Sequence, residues 1–83
     1  MTAKIAGKIW RIHRTRRPEN AGEDGNVVYS RRTIYIDPNL SGKGLQETII
    51  HEWLHARWPD LSEESVTEAA RELVRLMGRF REA

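Results

Sequence analysis

The sequence predicts an α+β fold in which a small β-hairpin or three-stranded sheet packs on an antiparallel hairpin of two helices. Isoleucine- and valine-rich segments with alternating apolar residues are confined to the first 38 residues. From about Leu45 the apolar period changes from two to near 3.6, which indicates helix. A chain of 83 residues has room for one small core. We therefore interpret residues 1–83 as a single domain.

The strands are predicted in the first half of the chain. Residues 4–14 alternate isoleucine with basic residues and predict one strand. Residues 16–26 concentrate Pro, Asn, Asp and Gly, which indicates a loop or a long hairpin turn. Residues 27–38 are β-rich again. They predict either one strand or two short strands broken near Ser30, with Pro38 ending the second.

Two helices are predicted in the second half. The first carries "GLQETIIHEWLHARW" and ends before Pro59, whose ring disfavours helical geometry at Trp58. Asp60 or Ser62 would cap the second helix, and Asp60 with Glu63 fits a capping box. Helices joined by so short a turn form an antiparallel hairpin, and the sheet should cover the face that the hairpin leaves open. The second helix has one apolar face, made of Val66, Ala69, Ala70, Leu73, Leu76, Met77 and Phe80.

Composition narrows the class of protein. Charged residues make up 31% of the chain and apolar residues 39%, which is ordinary for a folded globular domain. The absence of cysteine excludes disulfides and thiolate metal sites. No apolar run reaches the length of a membrane span, and the first residues contain no apolar signal core. We therefore expect a cytoplasmic protein with no membrane partner.

Charge is distributed unevenly along the chain. Residues 1–37 contain eight Lys and Arg against four Asp and Glu, whereas residues 38–83 contain six against eight. The densest basic cluster is "RIHRTRR", from Arg11 to Arg17. A solvated basic sheet face is the simpler interpretation, and contact with nucleic acid is the alternative. The cluster has no interleaved aromatic residues and no nucleic-acid fold motif. His13 lies on the first predicted strand among arginines, so we expect it to be exposed or bonded to backbone rather than to serve as a ligand.

The pentad "HEWLH" provides the main functional signal. His51 and His55 are four residues apart on a predicted helix, so both imidazoles project from one face, one turn apart. Two nitrogens so placed can reach one zinc ion at about 2.0–2.1 Å. With about 100° per residue, both fall in one polar notch of an otherwise apolar helix. Histidines on helices also occur as capping or exposed residues, but two of the three histidines in this chain form the pattern. We predict a zinc site.

This pentad, preceded by a β-rich segment and followed by an acidic helix, resembles the zincin metallopeptidases. In plan it is similar to the small bacterial or phage-type SprT-like and ImmA/IrrE-like groups, over residues 32–80. The resemblance implies that His51 and His55 bind Zn²⁺ and that Glu52 is the general base of peptide-bond hydrolysis. The expected partner is then a protein or peptide substrate.

A hydrolytic zinc site needs a third protein ligand beside an open position for water. No histidine follows His55, so the candidates are acidic residues of the second helix. An antiparallel partner at the depth of the two histidines falls near residues 67–68, which selects Glu68 as the third metal ligand. Residues 67–72 also resemble glutamate zincins, which would make Glu72 a support for one histidine. The full set of candidates is Glu63, Glu64, Glu68 and Glu72.

Two further questions stay open at the level of sequence. The donor to the oxyanion could be Tyr29, Tyr35 or Arg57. Residues 33–37 are predicted to form a strand edge along which an extended peptide could lie. The alternative function is a zinc-stapled binding module without peptidase activity, which a domain with no second subdomain favours. An association with nucleic acid through the basic first half belongs to that alternative.

Overall fold

The structure, a computed structural model, describes residues 1–15 and 23–82. These residues form two helices, α1 (Gly42–Arg57) and α2 (Glu63–Glu82), and a four-stranded sheet. The predicted α+β fold, a small sheet packed on a two-helix hairpin, is confirmed, with one strand more than expected. The strands are β1 (Thr2–Ile5), β2 (Lys8–His13), β3 (Gly25–Val28) and β4 (Thr33–Ile36).

The additional strand arises within residues 4–14, which form part of a hairpin rather than one strand. β1 and β2 pair antiparallel, with Ile5 opposite Lys8. The two residues between them, Ala6 and Gly7, have φ angles of 51° and 81°. Positive φ at both central positions is the requirement of a type I′ hairpin turn, and glycine adopts it freely but alanine at some cost. The prediction of a single strand is corrected on this point.

The prediction of two short strands broken near Ser30 is confirmed. A 3-10 turn, Tyr29–Arg31, separates β3 from β4, and Pro38 follows the end of β4. The strand order is β1-β2-β4-β3, with β2 and β4 parallel and the other neighbours antiparallel. β4 is therefore interior, and the edge expected at residues 33–37 is provided by β3 instead. Residues 16–22 of the predicted loop lie outside the described residues.

Both helices begin and end at recognisable signals. α1 starts at Gly42, three residues before the periodic pattern becomes clear, and ends at Arg57, before Pro59. Ser62 caps α2, because its Oγ accepts a hydrogen bond of 3.1 Å from the backbone N–H of Ser65. In the part of the chain that the structure describes, neither helix combines the length and apolar character needed to cross a membrane.

α1 lies between the sheet and α2. On one side, Ala56 of α1 packs with buried residues of the strands; on the other, Leu54 packs with Val66 and Ala70 of α2. The sheet thus covers α1, as expected, while α2 is covered by α1 on one side. As a result, the second half of the predicted apolar face of α2 stays exposed. The strand residues of the core are Ile5, Trp10, Ile34 and Ile36.

Candidate metal centre

The two histidines of the pentad face an open cleft of about 680 Å³. β3, α1 and the first turns of α2 bound this cleft, at the side of α1 that neither the sheet nor α2 covers. The imidazole centroids of His51 and His55 are 4.9 Å apart, and the side chains are 19% and 17% exposed. A cleft of this volume lies in the range of small-ligand sites. The polar notch predicted on this helix is therefore a half-enclosed site.

Glu63, the first residue of α2, reaches both imidazoles. Its two carboxylate oxygens lie 2.7 Å from Nε2 of His51 and 2.7 Å from Nε2 of His55. Burial alone would raise the pKa of Glu63, but the charge and hydrogen bonds of the two histidines outweigh burial and lower that pKa. The carboxylate is thus held in its ionised form against two nitrogen donors.

The structure does not bring Glu68, the expected third ligand, to the imidazoles. Glu68 is exposed and lines a separate depression along α2, together with Glu72. Depth along the hairpin agrees with the prediction, because Leu54 packs on Val66. The rotation of α2 about its axis excludes Glu68, because at about 100° per residue Glu68 lies about 160° around the helix from the buried Val66. Glu63 lies only about 60° from Val66, on the side that faces the cleft. The apolar face of α2 was the signal that could have identified Glu63.

Glu52 is the buried acidic residue of the site, with 7% of its surface exposed. β3 passes directly over it: a Cβ atom on Gly25 would lie 2.9 Å from both Cγ and Oε2 of Glu52. The strand can approach this closely because residue 25 has no side chain. Burial, followed by repulsion from Glu63 and Glu23, raises the pKa of Glu52 to about 7. A carboxyl group with such a pKa can accept and release a proton near neutral pH.

Together these side chains could hold a metal ion. Ligand atoms of His51, Glu52 and His55 all lie within 4.8 Å of one another, and Glu63 adds carboxylate oxygens on the open side. Imidazole nitrogen and carboxylate oxygen form a donor set that suits zinc. Ligands on a tetrahedral zinc ion are separated by about 3.3 Å at bond lengths of 2.0–2.1 Å. The Glu63 side chain, 70% exposed, is free to make the small retreat from its present 2.7 Å contacts.

Of the three candidate oxyanion donors, Tyr29 lies at the cleft. Its hydroxyl donates a hydrogen bond of 3.1 Å to the backbone oxygen of His55. Burial, and then the charges of Glu52 and Glu63, raise the pKa of Tyr29, which keeps the hydroxyl protonated. The other two candidates, Tyr35 and Arg57, are engaged elsewhere: the ring of Tyr35 stacks on that of His13 and the guanidinium of Arg57 lies over the ring of Trp58.

The basic cluster of the first half has at least one structural role. The guanidinium of Arg14 donates hydrogen bonds of 3.0 Å to the backbone oxygens of Pro38 and Leu40. These contacts tie the end of β2 to the loop that leads into α1, and so help to orient the helix of the candidate site. His13 is exposed, as expected. Arg16 and Arg17 lie outside the described residues.

Comparisons with known proteins assign no family to this chain. No protein-family model matches the sequence, no curated protein matches it, and no solved structure matches its fold. The geometry of the four side chains at the cleft is therefore what supports a functional assignment.

Proposed function

We propose that this chain is a zinc-dependent metallopeptidase in which His51, His55 and Glu63 hold the metal. Glu52 serves as the general base. The observation that carries the proposal is the approach of one carboxylate, Glu63, to within 2.7 Å of both imidazole nitrogens, beside a second, buried carboxylate. The resemblance of "HEWLH" to the zincins supports the same roles for the residues of the pentad. Glu63 replaces Glu68 as the proposed third ligand.

The two carboxylates differ in ways that favour this division of roles. Glu63 is exposed and contacts the nitrogens that would bind the metal. Glu52 is buried under β3, and its pKa of about 7 suits a group that moves protons. A carboxylate must be ionised to bind a metal ion, which fits the lowered pKa of Glu63. We therefore assign ligation to Glu63 and proton transfer to Glu52.

Zinc in this site would polarise the carbonyl of a peptide bond and make water acidic enough to attack it near neutral pH. Glu52 accepts the proton that the attacking water loses, and delivers it to the amine nitrogen as the C–N bond breaks. Tyr29 is kept protonated by its raised pKa. Its single O–H turns from the backbone oxygen of His55 to the substrate carbonyl oxygen as that oxygen gains negative charge.

The substrate is an extended peptide segment. β3 is an edge strand, and the same strand lines the cleft beside the histidines. The backbone groups on the side of β3 that β4 does not occupy can pair with a peptide, which then adds to the sheet as a further strand. A peptide bound there runs past Gly25, over Glu52 and towards the two imidazoles. Main-chain pairing of this kind recognises an unfolded segment with little dependence on its sequence.

A zinc-stapled module without peptidase activity is the second candidate, and one observation favours it. Glu52 lies close enough to the imidazole nitrogens to act as a ligand itself. Ligation by Glu52 and Glu63 together would close the site with four protein ligands, as in structural zinc sites. Small domains without disulfides are often stabilised in this way.

Zinc content and proteolysis, measured on the same samples, test the assignment. Wild type should bind one zinc ion per chain and cleave an unstructured protein such as reduced, carboxymethylated lactalbumin. Glu63→Gln should weaken zinc binding by roughly 100-fold or more, since loss of even a supporting group costs 10–100-fold. Glu68→Gln, the matched control on the same helix, should leave both properties unchanged. Glu52→Gln should retain zinc and lose cleavage.

The alternatives give different results in the same experiment. If Glu52→Gln loses zinc and the loaded wild type cleaves nothing, the site is a closed structural staple. If Glu68→Gln loses zinc while Glu63→Gln retains it, the third ligand is Glu68, and α2 must rotate on metal binding. If His51→Ala binds as much zinc as wild type, the proposed centre is refuted.

A further inference from the structure

α2 carries an exposed row of apolar side chains with the spacing of a coiled coil. Ala69, Leu73, Leu76 and Phe80 are separated by four, three and four residues, and we call them the α2 seam. Leu73 is 39% exposed, Leu76 51% and Phe80 74%. A helix that keeps apolar residues at this spacing usually buries them against another helix. Here only Ala69 is partly buried, against the cluster around Leu54 of α1, and the three large residues of the seam are left exposed.

The position of the α2 seam follows from how the helices pack. The buried residues of α2 are Val66, Ala70 and Val74, and the first two pack on Leu54 of α1. At about 100° per residue, the centre of the seam lies about 90° from the centre of this buried row. The seam therefore faces solvent in the second half of α2, where the helix has no cover from the sheet.

The exposed apolar area is large for a domain of this size. Met77, 42% exposed, adds to the three large residues of the α2 seam. At roughly 200 Å² for a large side chain, the four leave on the order of 400 Å² of apolar surface open. That is about half of what one partner buries in a standard protein interface. Trp53 and Ile49 of α1, 38% and 44% exposed, extend the same side of the hairpin.

The charges of α2 identify the partner. The first half of the helix is acidic, and the second half is basic. A second α2 laid antiparallel sets each acidic half against a basic half, whereas a parallel arrangement sets like charges against each other. The helix is therefore complementary to an antiparallel copy of itself. By sequence, residues 63–72 carry a net charge of −3 and residues 73–82 a net charge of +2: the first half contains Glu63, Glu64, Glu68 and Glu72 with Arg71, and the second half Arg75, Arg79 and Arg81 with Glu82.

We propose that the α2 seam binds a second copy of this chain, so that two α2 helices pack antiparallel about a two-fold axis beside Leu76. Glu72 and Arg79 border the seam on the same edge, seven residues apart. In this register Glu72 of each copy lies opposite Arg79 of the other, so the symmetry forms the ion pair twice. A parallel dimer would place Glu72 beside Met77 and form neither pair.

This interface is independent of the proposed zinc site. On α1, Trp53 lies about 160–200° around the helix from the two histidines, so the seam side and the cleft are on opposite sides of the hairpin. A substitution in the seam that disrupts the dimer should therefore leave zinc content unchanged. Equally, a wild-type protein that dimerises without binding zinc would refute the proposed function and leave this inference intact.

The proposal is tested by sedimentation equilibrium of the full chain with added zinc, over a roughly hundredfold range of protein concentration. Wild type should form a concentration-dependent dimer, and Leu76→Glu should be a monomer with an unchanged circular dichroism spectrum. Each of the single substitutions Glu72→Arg and Arg79→Glu places like charges opposite each other at two symmetry-related positions. Each should therefore raise the dissociation constant of the dimer about tenfold. The double variant, Glu72→Arg with Arg79→Glu, should regain the wild-type dissociation constant.

Two further samples give the experiment a control and a positive signature. Glu64→Arg makes the same change of charge on the opposite side of α2 and should dimerise like wild type within about twofold. A mixture of Glu72→Arg and Arg79→Glu chains should form a heterodimer that is tighter than either homodimer. A wild type that is monomeric at every concentration would overturn the proposal and leave the seam to a different protein. A dimer that persists in Leu76→Glu, or that ignores both charge reversals, would overturn it too.

Discussion

Replacing Glu52 with glutamine should stabilise the metal-free protein at alkaline pH and change little at acidic pH. The carboxyl group is 7% exposed and has a pKa raised from 4.5 to about 7. When the pKa of a carboxyl group is higher in the folded than in the unfolded state, its contribution to stability is fully present below the unfolded pKa, where the group is protonated. That contribution is lost as pH rises through the folded pKa. The stability that protonated Glu52 contributes is therefore lost between pH 4.5 and about 7. Above that range the folded wild type contains a buried carboxylate, whereas Glu52→Gln contains a neutral amide.

The size of the effect follows from the shift. At 1.36 kcal/mol per pKa unit, a rise from 4.5 to about 7 corresponds to about 3 kcal/mol. Because Glu52 lines an open cleft, water screens part of this interaction, and we expect about 1–2 kcal/mol. For a domain of this size, that is roughly 5–10 °C in the midpoint of thermal unfolding.

Thermal unfolding in chelator, followed by circular dichroism from pH 4 to pH 9, measures this difference directly. The midpoint of Glu52→Gln minus that of wild type should be near zero at pH 4 and rise to its plateau above pH 7. Glu68→Gln, which removes an exposed carboxylate of the same size, should give a small difference without this rise. A difference that is flat across the range, or that falls with pH, would show that Glu52 is not destabilised by burial and would remove the reasoning for its role as a base.

The remaining predictions concern the strand above the site, the helix cap, the tyrosine and the metal. Gly25→Ala should lower the free energy of unfolding, measured by chemical denaturation, by about 1–3 kcal/mol, because the added methyl group would meet the buried Glu52 side chain at 2.9 Å. Gly44→Ala, which has open space around it, should be neutral or stabilising. Ser62→Ala should lower the free energy of unfolding by about 1 kcal/mol through loss of the α2 cap, and Ser41→Ala, whose side chain makes no cap hydrogen bond, by less. Tyr29→Phe should lower kcat by roughly 10–1000-fold at unchanged zinc content, and equal kcat would exclude it as the oxyanion donor. Chelation should lower the thermal midpoint of the wild type, by an amount that grows with the logarithm of the zinc concentration restored; an unchanged midpoint would show that no ion supports the fold.

The predictability of the fold from sequence differs between its halves. The helices follow from a strong period and from local signals at Pro59 and Ser62, and their bounds agree with the structure within about three residues. The turn at Ala6 and Gly7 was missed because alternation continues across it, and because alanine at positive φ is uncommon. The sheet order could not be predicted either. It depends on the parallel pairing of β2 with β4, which are distant in sequence and carry no local signal for each other.

The candidate site was predictable as far as one helix extends. Spacing alone placed His51 and His55 side by side, since four residues make about one turn. Placing the third carboxylate needs the rotation of α2 about its own axis as well as its depth. That rotation is set by Val66 and Ala70 in the interface with α1, so an apolar face could in principle have selected Glu63. The burial of Glu52 could not have been inferred, because it depends on β3 crossing over α1 at a glycine.

The position of α1 explains why one short chain presents both a polar cleft and an apolar face. A helix has neighbours on two opposite sides when it lies between a sheet and a second helix, and its other two sides stay open unless further elements cover them. One open side of α1 carries His51 and His55. This side must remain partly open to solvent, because a metal ion and a substrate have to enter there. The other open side carries Ile49 and Trp53, which gain nothing from exposure and face the same side of the hairpin as the α2 seam. A second copy of the chain can cover this apolar side without narrowing the cleft, because the two sides face in opposite directions. Dimerisation would then add buried apolar area to a domain whose own core is small, while the candidate metal centre stays open to its substrate.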